Sequence, residues 1–149
     1  KLPKINMQLI LSRELLNNTN LLSLGPDLRN IFSFENIYFV YDDNKLIGAI
    51  EYIIYEDEAE IIVGVNKEHR NKGYGKLILE AMTTMLFTTR EDISCINLYI
   101  RPSNISAYKI AEKCGYKFNF DAIDDEFLIF TNSNPYHKNA KTLKLDYYS

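Results

Sequence analysis

Between residues 59 and 101 the hydrophobic period changes twice, and that change restricts the fold more than any other feature of the chain. Ala59 to Val65 alternates, with Ile61, Val63 and Val65 on one face, as a half-buried strand does. A glycine loop follows, Arg70-Asn71-Lys72-Gly73-Tyr74-Gly75-Lys76. Leu77, Ile78, Ala81, Met82, Met85 and Leu86 then recur at helical spacing, giving one apolar stripe over about four turns. Ile96, Leu98 and Ile100 return to alternation. Strand, crossover helix and strand make a right-handed βαβ unit, so these two strands are expected to be parallel neighbours.

The flanking segments add antiparallel strands. Ile37, Phe39 and Tyr41 alternate, Asp42-Asp43-Asn44 turns, and Lys45 to Tyr55 is a β-branched and aromatic run, which reads as a hairpin. Acidic Glu56-Asp57-Glu58 turns the chain into the strand that ends at Val65. Upstream, Ile5 to Leu11 is expected as a first strand, and Ser12 as the cap of a short helix through Leu15 and Leu16. Pro26 and Asp27 are placed to start another helical turn toward Ile31. Downstream, Pro102 ends a strand. Asn104 can cap a helix with Ala107, Ile110, Ala111 and Cys114 buried and Gly115 closing it. Tyr116 to Ala122 and Glu126 to Thr131 read as a last hairpin around Asp124-Asp125, and residues 132–149 as an edge strand, Leu143 to Tyr148, or a flexible tail.

Composition bounds the function classes. At 149 residues and 46% apolar content, residues 1–149 read as a single domain with a real core. A formal charge of -3 lacks the positive field that non-specific nucleic-acid binding requires, leaving only a local basic patch at residues 67–76. No apolar run approaches the roughly 20 residues of a membrane span, and the start has no leader pattern, so no membrane partner and a cytoplasmic location are expected. Cys95 and Cys114 lie inside apolar patterns and read as small core residues; with His69 and His137 the only histidines, no metal site is expected.

The loop carries the chemistry. A helix N-terminus presents unpaired amides and about half a positive charge, and glycine at 73 and 75 removes the Cβ atoms that would keep an anion away. Arg70, Lys72 and Lys76 add cations that could meet a phosphate. The plainer alternative is a tight turn with exposed lysines beside it. A P-loop and a dinucleotide fingerprint are both excluded: the spacing between glycines is wrong for the first, and Ile78 stands where the second needs glycine.

Taken together, Val65 through Gly75 and the later run Asn104, Ala107 and Glu112-Lys113-Cys114-Gly115-Tyr116 resemble the two central motifs of the GNAT superfamily of acyl-CoA-dependent N-acetyltransferases. The resemblance is detailed over residues 37–120. It implies an α+β fold: a mixed, mostly antiparallel sheet of about six to seven strands, splayed at a parallel pair and flanked by about four helices. It implies acetyl-CoA or coenzyme A as cosubstrate, with the pantetheine arm paired to Val63 and Val65 and the pyrophosphate on the amides of Arg70, Asn71, Lys72, Gly73, Tyr74, Gly75 and Lys76. Asn104 would bond the pantetheine or simply cap its helix, and Lys113 would approach the nucleotide or stay solvated.

For catalysis the resemblance implies the Val65 amide as oxyanion donor. Glu60 and Glu51 are candidates for taking the amine proton, or are solvated strand residues. Two family positions depart. The tyrosine found seven residues after the motif asparagine is Ala111 here, and a glutamate of some members, five before it, is Tyr99. Tyr108 shares a helix face with Asn104 and Ala111 and becomes the candidate thiolate acid, with Ser106 second. The alternatives are that Tyr108 packs against pantetheine or that no acid is needed. The expected reaction is acetyl transfer to a primary amine of an unidentified acceptor; the alternative is a non-catalytic acyl-CoA-binding module. A homodimer through Phe118, Phe120, Phe127 and Phe130 is one reading of the late aromatic residues, and core packing is the other.

Overall fold

A computed structural model describes residues 8–137. Seven strands form one sheet: β1 (Leu9–Ser12), β2 (Ile37–Asp42), β3 (Lys45–Tyr55), β4 (Glu58–Val65), β5 (Cys95–Ile100), β6 (Lys117–Phe118) and β7 (Leu128–Ser133), in the order β1-β2-β3-β4-β5-β7-β6. Three α-helices accompany them, α1 (Pro26–Arg29), α2 (Tyr74–Thr89) and α3 (Ile105–Lys113), with 3-10 turns at Leu21–Ser23 and Lys67–His69. The chain divides into two compact units, Lys1–Glu51 with Ile62–Ile78, and Tyr52–Ile61 with Leu79–Ser149.

In the first unit, the β2–β3 hairpin turns on Asp43 (φ 49°) and Asn44 (φ 64°), between the paired residues Asp42 and Lys45. Two successive positive φ angles are what a two-residue hairpin loop needs, and Asp and Asn tolerate them. β1 adds antiparallel to β2, with Ile10 opposite Tyr41. The core gathers Leu24, Leu28, Phe32, Ile37, Phe39, Tyr41, Leu46 and Ala49, with Leu15, Leu16 and Ile62 packed against it. Gly48 lets β3 and β4 close up: a Cβ there would lie 2.0 Å from the Gly64 carbonyl oxygen.

The helix expected after Ser12 does not form. Ser12 is the last residue of β1, and its hydroxyl donates to the Glu14 carbonyl (2.8 Å) while accepting from the Glu14 amide (3.2 Å). The hydroxyl accepts from an amide as a cap would, but its own proton goes to the carbonyl of that same residue, which closes a local turn in place of a helix. Leu15 and Leu16 still reach the core, because the buried Tyr41 hydroxyl accepts from the Leu16 amide at 2.7 Å. Among the described residues the count is therefore three α-helices, against an expectation of about four.

In the second unit, β4 and β5 are parallel, as the crossover predicts, with rungs Glu58↔Cys95, Ala59↔Ile96 and Glu60↔Asn97. Those rungs end although β4 continues to Val65 and β5 to Ile100. The stripe of α2 is rotated by one position from the expected one. Leu79, Met82, Leu86 and Phe87 are buried, whereas Ala81 is exposed. Thr83 is buried too, its hydroxyl 2.6 Å from that of Tyr116.

α3 closes as its sequence predicts. Gly115 is left-handed (φ 88°), Tyr116 donates to the Ala111 carbonyl (3.0 Å) and Gly115 to that of Glu112 (3.2 Å), the paired bonds of a Schellman end. β7 runs antiparallel to β5 from Ile100↔Leu128 to Cys95↔Ser133. The last hairpin is shorter than expected, since β6 pairs only as Lys117↔Thr131 and Phe118↔Phe130. Beyond it, Asn119 and Asp124 bond their own neighbours, the Asp121 amide and the Glu126 and Phe127 amides, which supports turns in place of a ladder. The segment Leu143 to Tyr148 lies outside the described residues. No helix among the described residues is long and apolar enough to cross a membrane.

Candidate functional site

The first unit holds the glycine loop, and its entry is rigid. β4 ends at Val65, and Asn66, 1% exposed, spends its whole side chain on the backbone. Its Oδ1 accepts from the Gly25 amide (2.8 Å), and its Nδ2 donates to the Ser23 (3.0 Å) and Leu46 (3.2 Å) carbonyls. Its own amide donates to the Ile47 carbonyl at 2.7 Å. One side chain therefore ties β3 and the segment before α1 to the end of β4.

The loop itself reaches α2 through two left-handed residues, Asn71 (φ 61°) and Gly73 (φ 89°). A Cβ built on Gly73 meets nothing within 4 Å, so this backbone faces open space. The first bond of α2 runs from the Leu77 amide to the Gly73 carbonyl, so the helix begins directly on this glycine. Open space over a glycine at a helix N-terminus is a geometry that suits an anion such as a phosphate group.

Tyr74 does not line that space. It is buried, and its hydroxyl donates to Asp42 at 2.5 Å; that bond, followed by burial, pushes its pKa up to about 12. His69 packs edge-on against its ring. Arg70 is likewise engaged: Nε donates to the Val65 carbonyl at 2.9 Å, and Nη2 pairs with Asp27 of α1. That pairing holds the Asp27 carboxyl below its ordinary range. Lys72 is exposed.

The candidates of α3 lie in the second unit. Asn104 caps the helix, its Oδ1 accepting from the Ala107 amide at 3.2 Å. The Tyr108 hydroxyl donates to the Arg101 carbonyl (3.1 Å) and to that of Pro102, and its ring stacks on Phe130 at 5.5 Å. Ala111 is completely buried, and Lys113 and Ser106 are exposed. Glu60 on β4 is half-buried and close enough to Tyr99 to help raise the tyrosine's pKa, after burial, which is the larger cause.

Glu51 corrects a sequence expectation. It is neither solvated nor available as a base, being fully buried in the first unit. Its carboxylate accepts from the Ser33 amide (2.8 Å), the Ser33 hydroxyl (2.8 Å) and the Glu35 amide (2.9 Å), which fixes the turn leading into β2. The sequence does not single out Asn66, and it marks Asp27 only as part of a helix start. The available signal for Asn66 was a polar residue between a strand and a helix-like turn; nothing local marks the pairing of Asp27 with Arg70. Among the late aromatic residues Phe130 is buried, whereas Phe120 is 84% exposed.

Residues 14–116 match the model of the Acetyltransferase (GNAT) family, and the chain belongs to that family. The uncharacterized protein YxbD of Bacillus subtilis (strain 168) is 35% identical over 96 residues, covering 64% of this chain and 58% of its own length. The fold is similar to that of the Vibrio cholerae spermidine N-acetyltransferase in complex with CoA and spermine, with a TM-score of 0.59 at 21% identity, over 66% of this chain and 64% of that one. It is also similar to AAC(6')-Ib in complex with ribostamycin and coenzyme A, with a TM-score of 0.59 at 16% identity, over 67% and 64%. The chain thus spans less than two thirds of the length of these relatives.

Proposed function

We propose that this protein transfers an acetyl group from acetyl-CoA directly to a primary amine. The observation that carries the reading is the turn at Gly73, an open glycine backbone with positive φ at the N-terminus of α2. Acetyl-CoA supplies the thioester whose carbonyl accepts the amine and whose thiolate leaves. The amides of residues 70–76 hold its pyrophosphate, helped by Lys72 and Lys76, while the main chain of Val63 and Val65 pairs with the peptide-like pantetheine. The Val65 amide stabilises the oxyanion, and Glu60 takes the amine proton, directly or through water. Asn104 and Lys113 belong to the donor site on the same reading.

Tyr108 supplies the proton to the thiolate. To do so its hydroxyl would give up the backbone carbonyl acceptors it now holds at Arg101 and Pro102. The spermine and ribostamycin complexes of the structural relatives favour a cationic amine as acceptor. The reading carries a cytoplasmic location, where the free thiols of Cys95 and Cys114 stay reduced.

A second reading, a non-catalytic acyl-CoA-binding module, draws on one observation: Ala111, where many relatives carry tyrosine, is completely buried. Release of free thiol from acetyl-CoA across a panel of polyamines, aminoglycosides, amino acids and peptides separates the two. Turnover on any amine supports transfer; tight CoA binding with no turnover on the whole panel refutes it and leaves the module.

A further inference from the structure

We propose that Asp27 and Arg70 form a positioning brace for the donor loop, with Arg70 acting on the backbone rather than as a phosphate ligand. The inference rests on the donor-site reading above. Its ground is the double engagement of one guanidinium: Nε on the Val65 carbonyl at 2.9 Å, and Nη2 on the Asp27 carboxylate. The peptide between Val65 and Asn66 is then held at both ends, its carbonyl by Arg70 and its amide by the Ile47 carbonyl at 2.7 Å. Asp27 stands in the first turn of α1, whose preceding residue, Gly25, is itself bonded to Asn66. Brace and buried asparagine therefore join the same two segments, one on either side of the Val65–Asn66 peptide. Arg70 also opens the loop, three residues before Gly73, so the direction in which the backbone leaves Val65 is set where its side chain folds back.

The sign of one substitution tests this. A carboxylate near a phosphate site repels the ligand, so ordinary electrostatics predicts that Asp27→Asn tightens coenzyme A binding. A brace predicts the reverse, because Arg70 loses its anchor and the loop its fixed start. Titration calorimetry with coenzyme A needs no knowledge of the acceptor. We expect Asp27→Asn to weaken binding about two- to fivefold, the range of an exposed ion pair. Arg70→Met should weaken it at least as much, and the double variant no more than Arg70→Met alone, since one brace can be lost only once. Unchanged or tighter binding by Asp27→Asn overturns the proposal, as do losses that add in the double variant. Should Asp27→Asn not fold, Asp27→Ser carries the same sign. If the unsubstituted protein does not bind coenzyme A, the donor-site reading itself fails, a result distinct from any of these.

Discussion

Asn66→Asp keeps the shape of the side chain and changes only what its atoms can donate. The Oδ1 position still accepts from the Gly25 amide, but the atom replacing Nδ2 now faces the Ser23 and Leu46 carbonyls, at 3.0 and 3.2 Å, with at most one proton to offer. In the protonated form one carbonyl loses its partner, which costs about 1–3 kcal/mol for a buried polar group. Ionised, the carboxylate would face two carbonyl oxygens at a position 1% exposed, so the folded state keeps the proton. A folded-state pKa about 2–3 units above the unfolded value of about 3.9 adds about 1.4 kcal/mol per unit at neutral pH. The variant should thus lose about 4–7 kcal/mol at pH 7, a large part of the stability of an ordinary domain. The sign follows from linkage. An acid whose pKa is raised on folding leaves the native state binding more protons, so the loss grows as pH rises from about 4 and shrinks to about 1–3 kcal/mol below it. Urea unfolding by circular dichroism at several pH values between 4.5 and 7.5, each against unsubstituted protein, measures the difference. Asn66→Ala removes the same bonds without a titrating group and should show a loss independent of pH. An equal loss for Asn66→Asp at pH 4.5 and pH 7, or one under about 1 kcal/mol at pH 7, would refute the geometry assigned to Asn66.

Gly73→Ala places a methyl in the open space over the cradle and forces a left-handed backbone, so it should cost about 1 kcal/mol of stability yet weaken coenzyme A binding about tenfold or more. Calorimetry beside thermal unfolding tells the two effects apart, and unchanged affinity would remove the loop from the donor site. Tyr108→Phe should lower kcat with little change in KM for acetyl-CoA; an unchanged kcat from pH 6 to about 9 would end its role as the thiolate acid. With its pKa pushed up to about 12, Tyr74 stays protonated in the folded protein while the unfolded chain ionises near 10, so stability falls as pH rises between those values. Tyr74→Phe should lose part of that alkaline sensitivity, which unfolding midpoints at pH 9 and 10.5 would show.

Where local chemistry and tertiary packing ask for the same thing, the fold is legible. The β2–β3 hairpin follows from alternation on both sides of Asp43 and Asn44, residues that accept the two positive φ angles the turn imposes. The parallel pair follows from a change of period, and the end of α3 from Gly115. Failures fall where a short polar side chain had two local options. Ser12 could cap a helix or close a turn on Glu14, and both are available to a hydroxyl followed by backbone. The rotation of the α2 stripe has another origin: Ala81 and Phe87 sit at the margins of the helical face, and packing, not period, decides which margin is covered.

At the site, residue type and spacing locate the loop, but they do not say which of its side chains look outward. Arg70, Lys72, Tyr74 and Lys76 all read as groups around an anion. Yet Arg70 is paired with a residue 43 positions earlier in the chain, and Tyr74 with one 32 positions earlier. No local pattern encodes a partner that distant. The same holds for Glu51, an acid on a strand, which reads alike whether it faces water or the three donors of residues 33–35 that it binds. Backbone features behave differently. An absent Cβ belongs to glycine itself, so the open backbone at Gly73 could be anticipated from sequence whatever lay opposite. In a donor site built from main-chain amides, the binding half is therefore the readable half. The proposed catalytic half would depend on single side chains, Tyr108 and Glu60, and a side chain takes its partners from folded surroundings that no local pattern encodes, so kinetics on the substituted protein decides their roles.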